Sequence, residues 1–328
     1  MCPVKKIRFL MVGLGNYGRS WAYIAAKSTK GILVGLVDQN QEMLDRVDLP
    51  VAKFSDIDTA VAELKPDAAI LAVPPHLHIP VTRKLMGYGL AVLCEKPICD
   101  DLAEAEEFLR TCEVENKTCG IAENYRYRPA MRGAKKLLQE GTVGNILRMN
   151  CRFTHYHPDY SMFYHGSLRH PLITDVTIHH LDLARYLSGA EPVNVTCFEH
   201  DARHCWYQNR PATAEIASDM TGGITFTYTG TLAAPASATD WYGDWEIMGD
   251  RGVLYISGTT VTLYVRENEK TVWEFPDEGD TREALLDSFL TSLEGGKSFE
   301  SNVQDNFKGF YWILKAIESS ENHKQIEL

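Results

Sequence analysis

The sequence predicts an α/β fold: a doubly wound parallel sheet in residues 1–122, then an α+β domain in residues 123–328 with a large, open, mostly antiparallel sheet. Three observations carry that expectation. In the first 120 residues, short apolar runs rich in Val, Ile and Leu alternate with helical patterns, as strands covered on both faces require. Beyond that point, strand-like segments follow one another across turn pairs such as Gly222-Gly223 and Asp250-Arg251-Gly252, the pattern of antiparallel neighbours. A chain of 328 residues that is 45% apolar is also long enough to bury two cores.

The first strand is expected at Ile7 to Val12. Its apolar run ends at Gly13 in a glycine motif and not at a small-residue cleavage site, so it reads as a strand and not as a signal peptide, and a cytoplasmic protein is expected. Further parallel strands are expected at Ile32 to Val37, Ala68 to Val73 and Leu90 to Cys94. The helices between and after them are expected at Tyr17 to Ser28, Gln41 to Arg46, Asp56 to Leu64, Leu77 to Met86 and Leu102 to Asn116. Next come a helix at Ala130 to Glu140, strands near 146–154, 192–200, 214–220, 223–232, 244–256, 260–266 and 271–275, and helices near 282–294 and 304–319. The last helix is expected to pack back on the first domain.

No run of 18 apolar residues is present to cross a membrane. A net charge of −11 leaves no surplus of lysine and arginine to hold a phosphate backbone, so a nucleic-acid partner is not expected. The eight cysteines (Cys2, Cys94, Cys99, Cys112, Cys119, Cys151, Cys197, Cys205) form no CxxC pair and no zinc-ligand spacing, which suits free thiols in a reducing compartment.

Gly13-Leu14-Gly15-Asn16-Tyr17-Gly18 is a GxGxxG directly after a predicted strand and opening a helix. Glycines there permit a tight turn and let backbone N–H groups approach a pyrophosphate at the positive end of the helix. Asp38 ends the second strand 20 residues after Gly18, where a carboxylate accepts from an adenosine ribose. The same charge repels a 2′-phosphate, so NAD is expected in preference to NADP.

A last parallel strand runs out as Glu95-Lys96-Pro97. Ligands of a wound sheet bind beyond the carboxyl ends of its strands, so Lys96 is expected near the reacting centre, donating to a substrate oxygen. The segment TDVTIHHLD, residues 174–182, reads as a helix. At 100° per residue, Asp175, His179, Asp182 and Tyr186 share an arc of about 60°, while His180 turns into an apolar stripe as a core histidine. A shared metal for Asp175 and His179 is the alternative, although Asp182 lies about 10.5 Å along the axis from Asp175, too far to join it. For proton transfer the pattern is better suited: His179 as acid/base, Asp175 setting its geometry. The stretch 153–171 and the cluster Trp241, Tyr242, Trp245 offer aromatic faces either for sugar C–H surfaces or for a core or interface. Four scattered arginines, Arg126, Arg128, Arg152 and Arg169, are candidates for a carboxylate or phosphate.

GLGNYG, the strand ending AVPPHLH, EKP, NYRYRPAMRGAKKLLQEGTVGNI, the D-x-x-x-H-x-x-D of the helix and DWEIMGDRGVL together resemble the Gfo/Idh/MocA family of NAD(P)-dependent oxidoreductases. The resemblance spans nearly the whole chain. It implies a Rossmann domain, an open-sheet domain that carries substrate residues and a homodimer or homotetramer interface, and oxidation or reduction of a sugar, cyclitol or related polyol at a secondary carbon. It also implies a Lys96-Pro97 bond that is frequently cis. The catalytic residues it implies are Lys96, Asp175 and His179. The cofactor residues are Gly13, Gly15, Asn16, Tyr17, Gly18, Asp38, Val73, Pro74, His78, Glu95 and Lys96, and the substrate residues are Lys96, Arg126, Tyr156, Asp175, His179 and Trp241. Where family members often carry a glycine pair before the aspartate and a glycine between aspartate and histidine, this chain reads His170-Pro171 and Thr177. Two other classes stay open: a redox-neutral, NAD-using glycoside-processing enzyme, and a non-catalytic NAD- or sugar-sensing regulator.

Overall fold

The computed structural model describes residues 6–115, 118–157, 168–201, 210–266, 269–295 and 298–328. It forms two compact units: Met1–Asn124 with Gly279–Phe307, and Tyr125–Glu278 with Lys308–Leu328.

The first unit alternates β1 (Ile7–Val12), α1 (Asn16–Ala26), β2 (Gly31–Val37), α2 (Gln41–Asp45), β3 (Ala52–Phe54), α3 (Ile57–Leu64), β4 (Ala68–Leu71), α4 (His78–Gly87), β5 (Ala91–Cys94), α5 (Leu102–Glu115) and β6 (Cys119–Ile121). Among the described residues the strands pair in the order β3-β2-β1-β4-β5-β6, all parallel. The order reverses at β1, so the carboxyl ends of β1, β4 and β5 open on one crevice, where wound sheets bind ligands. The edge strands β3 and β6 have three residues each, too few to show a period in the sequence. The run expected to reach Val73 leaves the sheet at Leu71, and the Val73 carbonyl oxygen lies 2.8 Å from His78 Nε2 instead.

The second unit carries α6 (Pro129–Gln139), β7 (Ile146–Thr154), α7 (Ile178–Ser188), β8 (Asn194–Asp201), β9 (Pro211–Met220), β10 (Ile224–Thr231), β11 (Asp244–Gly249), β12 (Val253–Ser257), β13 (Thr260–Arg266) and β14 (Glu269–Glu274). Its sheet runs β14-β13-β12-β11-β7-β10-β9-β8 and is antiparallel except where β10 lies parallel to β7. Alternation sets the faces: Met149, Cys151 and Phe153 of β7 point into the core with Leu172, Val176 and Leu183, while Arg148 and Arg152 point outward. The single segment expected at 244–256 is two strands, because Gly249 N–H donates to the Gly252 carbonyl and closes a turn.

Residues 279–307, expected in the second domain, are grouped with the first. The helix α8 (Thr281–Leu293) buries Leu285, Leu286, Phe289 and Leu290, and Phe289 meets Phe299 edge to face at 5.4 Å. The fit extends to backbone: a Cβ on Gly31 would lie 2.9 Å from Leu290, and one on Gly120 would lie 2.7 Å from Phe299. Periodicity shows that α8 has an apolar face but not what covers it. A last helix, α9 (Val303–Asn322), and β15 (Ile326–Glu327), which pairs with β8, complete the chain. No helix among the described residues is long and apolar enough to cross a membrane.

Candidate active site

The three motif glycines have three different reasons to be glycine. Gly13 has φ +87°, and a Cβ there would sit 2.4 Å from the Ala72 carbonyl oxygen; a Cβ on Gly18 would sit 2.0 Å from the Gly13 carbonyl oxygen. The fold itself forbids side chains at both. At Gly15 a Cβ would meet no atom within 4 Å, so nothing in the protein's packing demands glycine there. Gly15 is also the N-cap of α1, and no side chain caps that helix end or places an acid in its first turn. The first N–H groups of α1 are therefore left to an external acceptor, and a smooth backbone lets an anion approach. The residues present thus fit a dinucleotide pyrophosphate. Asn16 and Tyr17, on the first turn, are exposed.

Asp38 braces this loop: Oδ2 accepts from Leu14 N–H at 2.7 Å and Oδ1 from Asn40 N–H at 2.9 Å. A carboxylate offers roughly four lone-pair positions, so it retains acceptor capacity for a ribose hydroxyl.

At the end of β5, Glu95 and Lys96 diverge. Glu95 is buried, with Oε1 accepting from Trp21 Nε1 at 2.5 Å and Oε2 from Lys96 N–H at 3.1 Å. Burial raises its pKa to about 7, against the pull of the Trp21 hydrogen bond, Lys96 and Arg282. Lys96 is half-buried, and its bond to Pro97 is cis. His78, expected among the cofactor residues, is instead buried with its two ring nitrogens turned to main-chain carbonyls, Nδ1 to Pro97 at 2.6 Å and Nε2 to Val73 at 2.8 Å. It ties the turn after β4 to the turn after β5. Val73 is half-buried and Pro74 exposed.

In the second unit the TDVTIHHLD segment passes from a π-turn, Ile173–Thr177, into α7. The even 100° spacing applied from Asp175 onward therefore holds only from Ile178, where α7 begins; Asp175 lies in the wider turn before it. The positions that depart from the family pattern have local work. Both the N–H and the hydroxyl of Thr174 donate to the His170 carbonyl, at 3.0 and 2.7 Å, and His170 Nδ1 lies 2.7 Å from Glu199 Oε2. The Thr177 hydroxyl donates to Tyr228 at 3.1 Å inside the core.

Asp175 is half-buried and His179 buried. His180 is fully buried and its pKa is pulled down to about 3 by desolvation, so the ring is neutral. Nε2 donates to the Trp241 carbonyl at 3.0 Å, which fixes the tautomer; Nδ1 has no partner among the described residues. Arg126, expected among the substrate residues, and Asp182, expected on the arc of His179, bind each other. Nε donates to Oδ2 at 2.6 Å and Nη2 to Oδ1 at 2.5 Å, with Asp182 1% and Arg126 4% exposed. A carboxylate so buried needs a cation, and Arg185 Nη1, 3.7 Å from Oδ1, is a second one; removing Asp182 would strand buried guanidinium charge at a cost of about 3–5 kcal/mol. The other scattered arginines pair too: Arg128 with Asp240 and Asp277, Arg152 with Asp244, Arg169 with Glu321.

The aromatic candidates divide. Trp241 stacks on His155 at 4.2 Å and meets His157 edge-on at 5.2 Å, and desolvation lowers the His155 pKa. Trp245 lies in the core, its Nε1 donating to the Tyr242 carbonyl at 2.9 Å. Tyr242 packs on Tyr125 at 4.5 Å, and Tyr125 stacks on His179 at 4.0 Å and 11°. Tyr156 is exposed, with its N–H on Ser237 Oγ at 3.0 Å. Of the 153–171 stretch, residues 158–167 lie outside the described residues. Sequence reasoning missed Tyr125 as a neighbour of His179. Its only sequence signal is its place in NYRYRP, where Tyr125 faces His179, Arg126 faces Asp182 and Arg128 faces Asp240.

The model of an oxidoreductase family with an NAD-binding Rossmann fold matches residues 7–123, and that of the GFO/IDH/MocA C-terminal domain matches residues 131–255. Inositol 2-dehydrogenase of Corynebacterium glutamicum is 30% identical over 199 residues, 58% of this chain and 57% of that protein, so the alignment spans little more than half of either. An uncharacterised protein of Sinorhizobium fredii is 22% identical over 95% of this chain and 93% of its own. In fold, the chain matches an oxidoreductase from Agrobacterium radiobacter, solved in complex with NAD+, L-tartaric acid and magnesium. Their TM-score is 0.90 over 98% of both chains, at 18% identity.

Proposed function

The chain belongs to the GFO/IDH/MocA family of NAD-binding oxidoreductases, and we propose that it transfers a hydride between NAD and a secondary alcohol or ketone of a sugar, cyclitol or related polyol. The observation that carries the reading is the glycine loop, where the fold requires Gly13 and Gly18 but nothing in the packing requires Gly15, which leaves room for a pyrophosphate to approach. Gly13, Gly15 and Gly18 with the amino end of α1 would hold the pyrophosphate, and Asp38 the adenosine ribose. When bound, NAD supplies the hydride acceptor.

The protein's own work is on the proton and the oxygen. Lys96 donates to the reacting oxygen and stabilises the negative charge it gains as its proton leaves. His179 takes that proton, and Asp175 sets the geometry of the exchange. The relative named for inositol supports a polyol as substrate class.

Replacing His179 by Ala should lower turnover by at least about 100-fold, the usual worth of a general base, with NAD affinity near normal. Turnover, followed as substrate consumed, net NADH, followed by absorbance, and NAD binding are measured side by side on a panel of polyols and aldoses. Unchanged turnover in H179A removes His179 from the mechanism, and turnover without net NADH favours the redox-neutral class.

A further inference from the structure

We infer that Tyr125 is a positioning residue for His179, holding the imidazole plane from one face and favouring its protonated form, as the inner rung of a stack completed by Tyr242 and Arg128. The inference rests on the reading of His179 as the proton acceptor. The His179 and Tyr125 rings are near parallel, with centroids 4.0 Å apart and planes 11° apart. Tyr242 lies against Tyr125 at 4.5 Å, and the Arg128 guanidinium carbon lies 4.0 Å from the Tyr242 centroid. All four belong to the second unit.

Each outer rung is fixed in turn. Asp240 accepts from the Tyr242 N–H at 2.9 Å through Oδ1 and from Arg128 Nη1 through Oδ2; Asp277 takes Arg128 Nε at 3.1 Å. His180 holds the Trp241 carbonyl, and Trp245 holds that of Tyr242. Gly243, at φ +71°, leaves no room for a larger residue: a Cβ would lie 3.0 Å from both the Arg152 carbonyl oxygen and Cys151 Sγ. The loop carrying Tyr242 is thus pinned at successive residues, so Tyr125 has a rigid backing.

Two consequences follow for an imidazole in such a stack. Rotation about its Cβ–Cγ bond would drive the ring edge into the phenol face, so its nitrogens keep one direction. The electron-rich face of tyrosine also attracts a cation more than a neutral ring, so proton uptake by His179 is eased. Among the described residues, the charged and titratable groups near the stack include Asp175 and His180 on the same helical segment, Arg128, Asp240 and Asp277 at its far end, and His155, which feels the charge of Asp240.

The test is the titration of His179 in the full-length protein, followed by NMR of histidine side-chain nitrogens, with the H179Q spectrum assigning the signal. Tyr125→Leu should lower the His179 midpoint by about half a unit to one unit, the scale of a partly desolvated cation–π contact. It should also cut kcat by about tenfold while leaving the NAD dissociation constant unchanged. Tyr125→Phe, which keeps the ring and loses only the hydroxyl, should restore both. An unmoved midpoint in Y125L overturns the inference, and so does a Y125F that behaves like Y125L. If Y125L does not fold, Tyr242→Leu is the second arm: a smaller shift in the same direction supports the stack, and none overturns it. A shifted midpoint in Y125L combined with full turnover in H179A would leave the stack standing and remove the proton-acceptor role instead.

Discussion

Glu95 shows how a residue next to a functional one is used differently. Its carboxyl points into the unit beneath Lys96, held by the Trp21 indole, and carries a pKa of about 7 against an ordinary 4.5. Between those two values the folded state binds more protons than the unfolded one, so stability falls as pH rises from 4.5 to about 7 and stays lower above it. The full excursion is on the order of 3 kcal/mol. Replacing Glu95 by Gln removes the titration, so melting temperatures of variant and wild type, compared across that window without cofactor, should move steadily in favour of E95Q as pH rises. A difference that stays flat would show that Glu95 does not titrate there. On α7 too, a polar side chain is settled by the partner folding brings: Arg126 for Asp182, and the Trp241 carbonyl for His180, which the sequence already turns into the core.

At the scale of elements, the strand–glycine–helix junction after β1 gives the clearest separation of fold from ligand. Gly18→Ala forces a Cβ to within 2.0 Å of the Gly13 carbonyl oxygen, so that variant should lose thermal stability as well as NAD binding. Gly15→Ala meets nothing and places alanine at φ −55°, an ordinary value, so its melting temperature should match wild type. Its NAD dissociation constant should nonetheless rise by about tenfold or more, because the methyl stands where the pyrophosphate approaches. Calorimetric melting and NAD titration of the two variants check this; a G15A that binds NAD normally would move the pyrophosphate away from that loop. The second informative element is the π-turn before α7. Sequence periodicity assumes one helical geometry throughout, and the side chains on either side of the turn, Asp175 and His179, are the ones whose relation it changes.

At the scale of the molecule, the first unit is assembled from two distant stretches of chain. Residues 279–307 supply Leu285, Phe289, Leu290 and Phe299 to a core begun by residues 1–124. A fragment ending at residue 124 would expose the surfaces these side chains cover, among them the backbone at Gly31 and Gly120. It should therefore lack cooperative unfolding, whereas the same fragment with residues 279–307 joined to it should recover a melting transition; circular dichroism on both decides the matter. A cooperative 1–124 fragment would show the returning segment to be dispensable. Much of this protein was legible in order of residues: the parallel strands β1, β2, β4 and β5, the glycine loop with Asp38, and the mostly antiparallel second sheet all follow from hydrophobic period and turn chemistry, which are local. The three-residue edge strands were not, because they are shorter than the period that would reveal them. Nor were the partners of Arg126, Asp182, His78 and Tyr125, or the attachment of residues 279–307. The sequence by itself determined the succession of strands and helices and the glycine loop, since hydrophobic period and turn residues are local; only the tertiary structure decided which polar side chains face one another, because burial and pairing depend on segments distant in the chain.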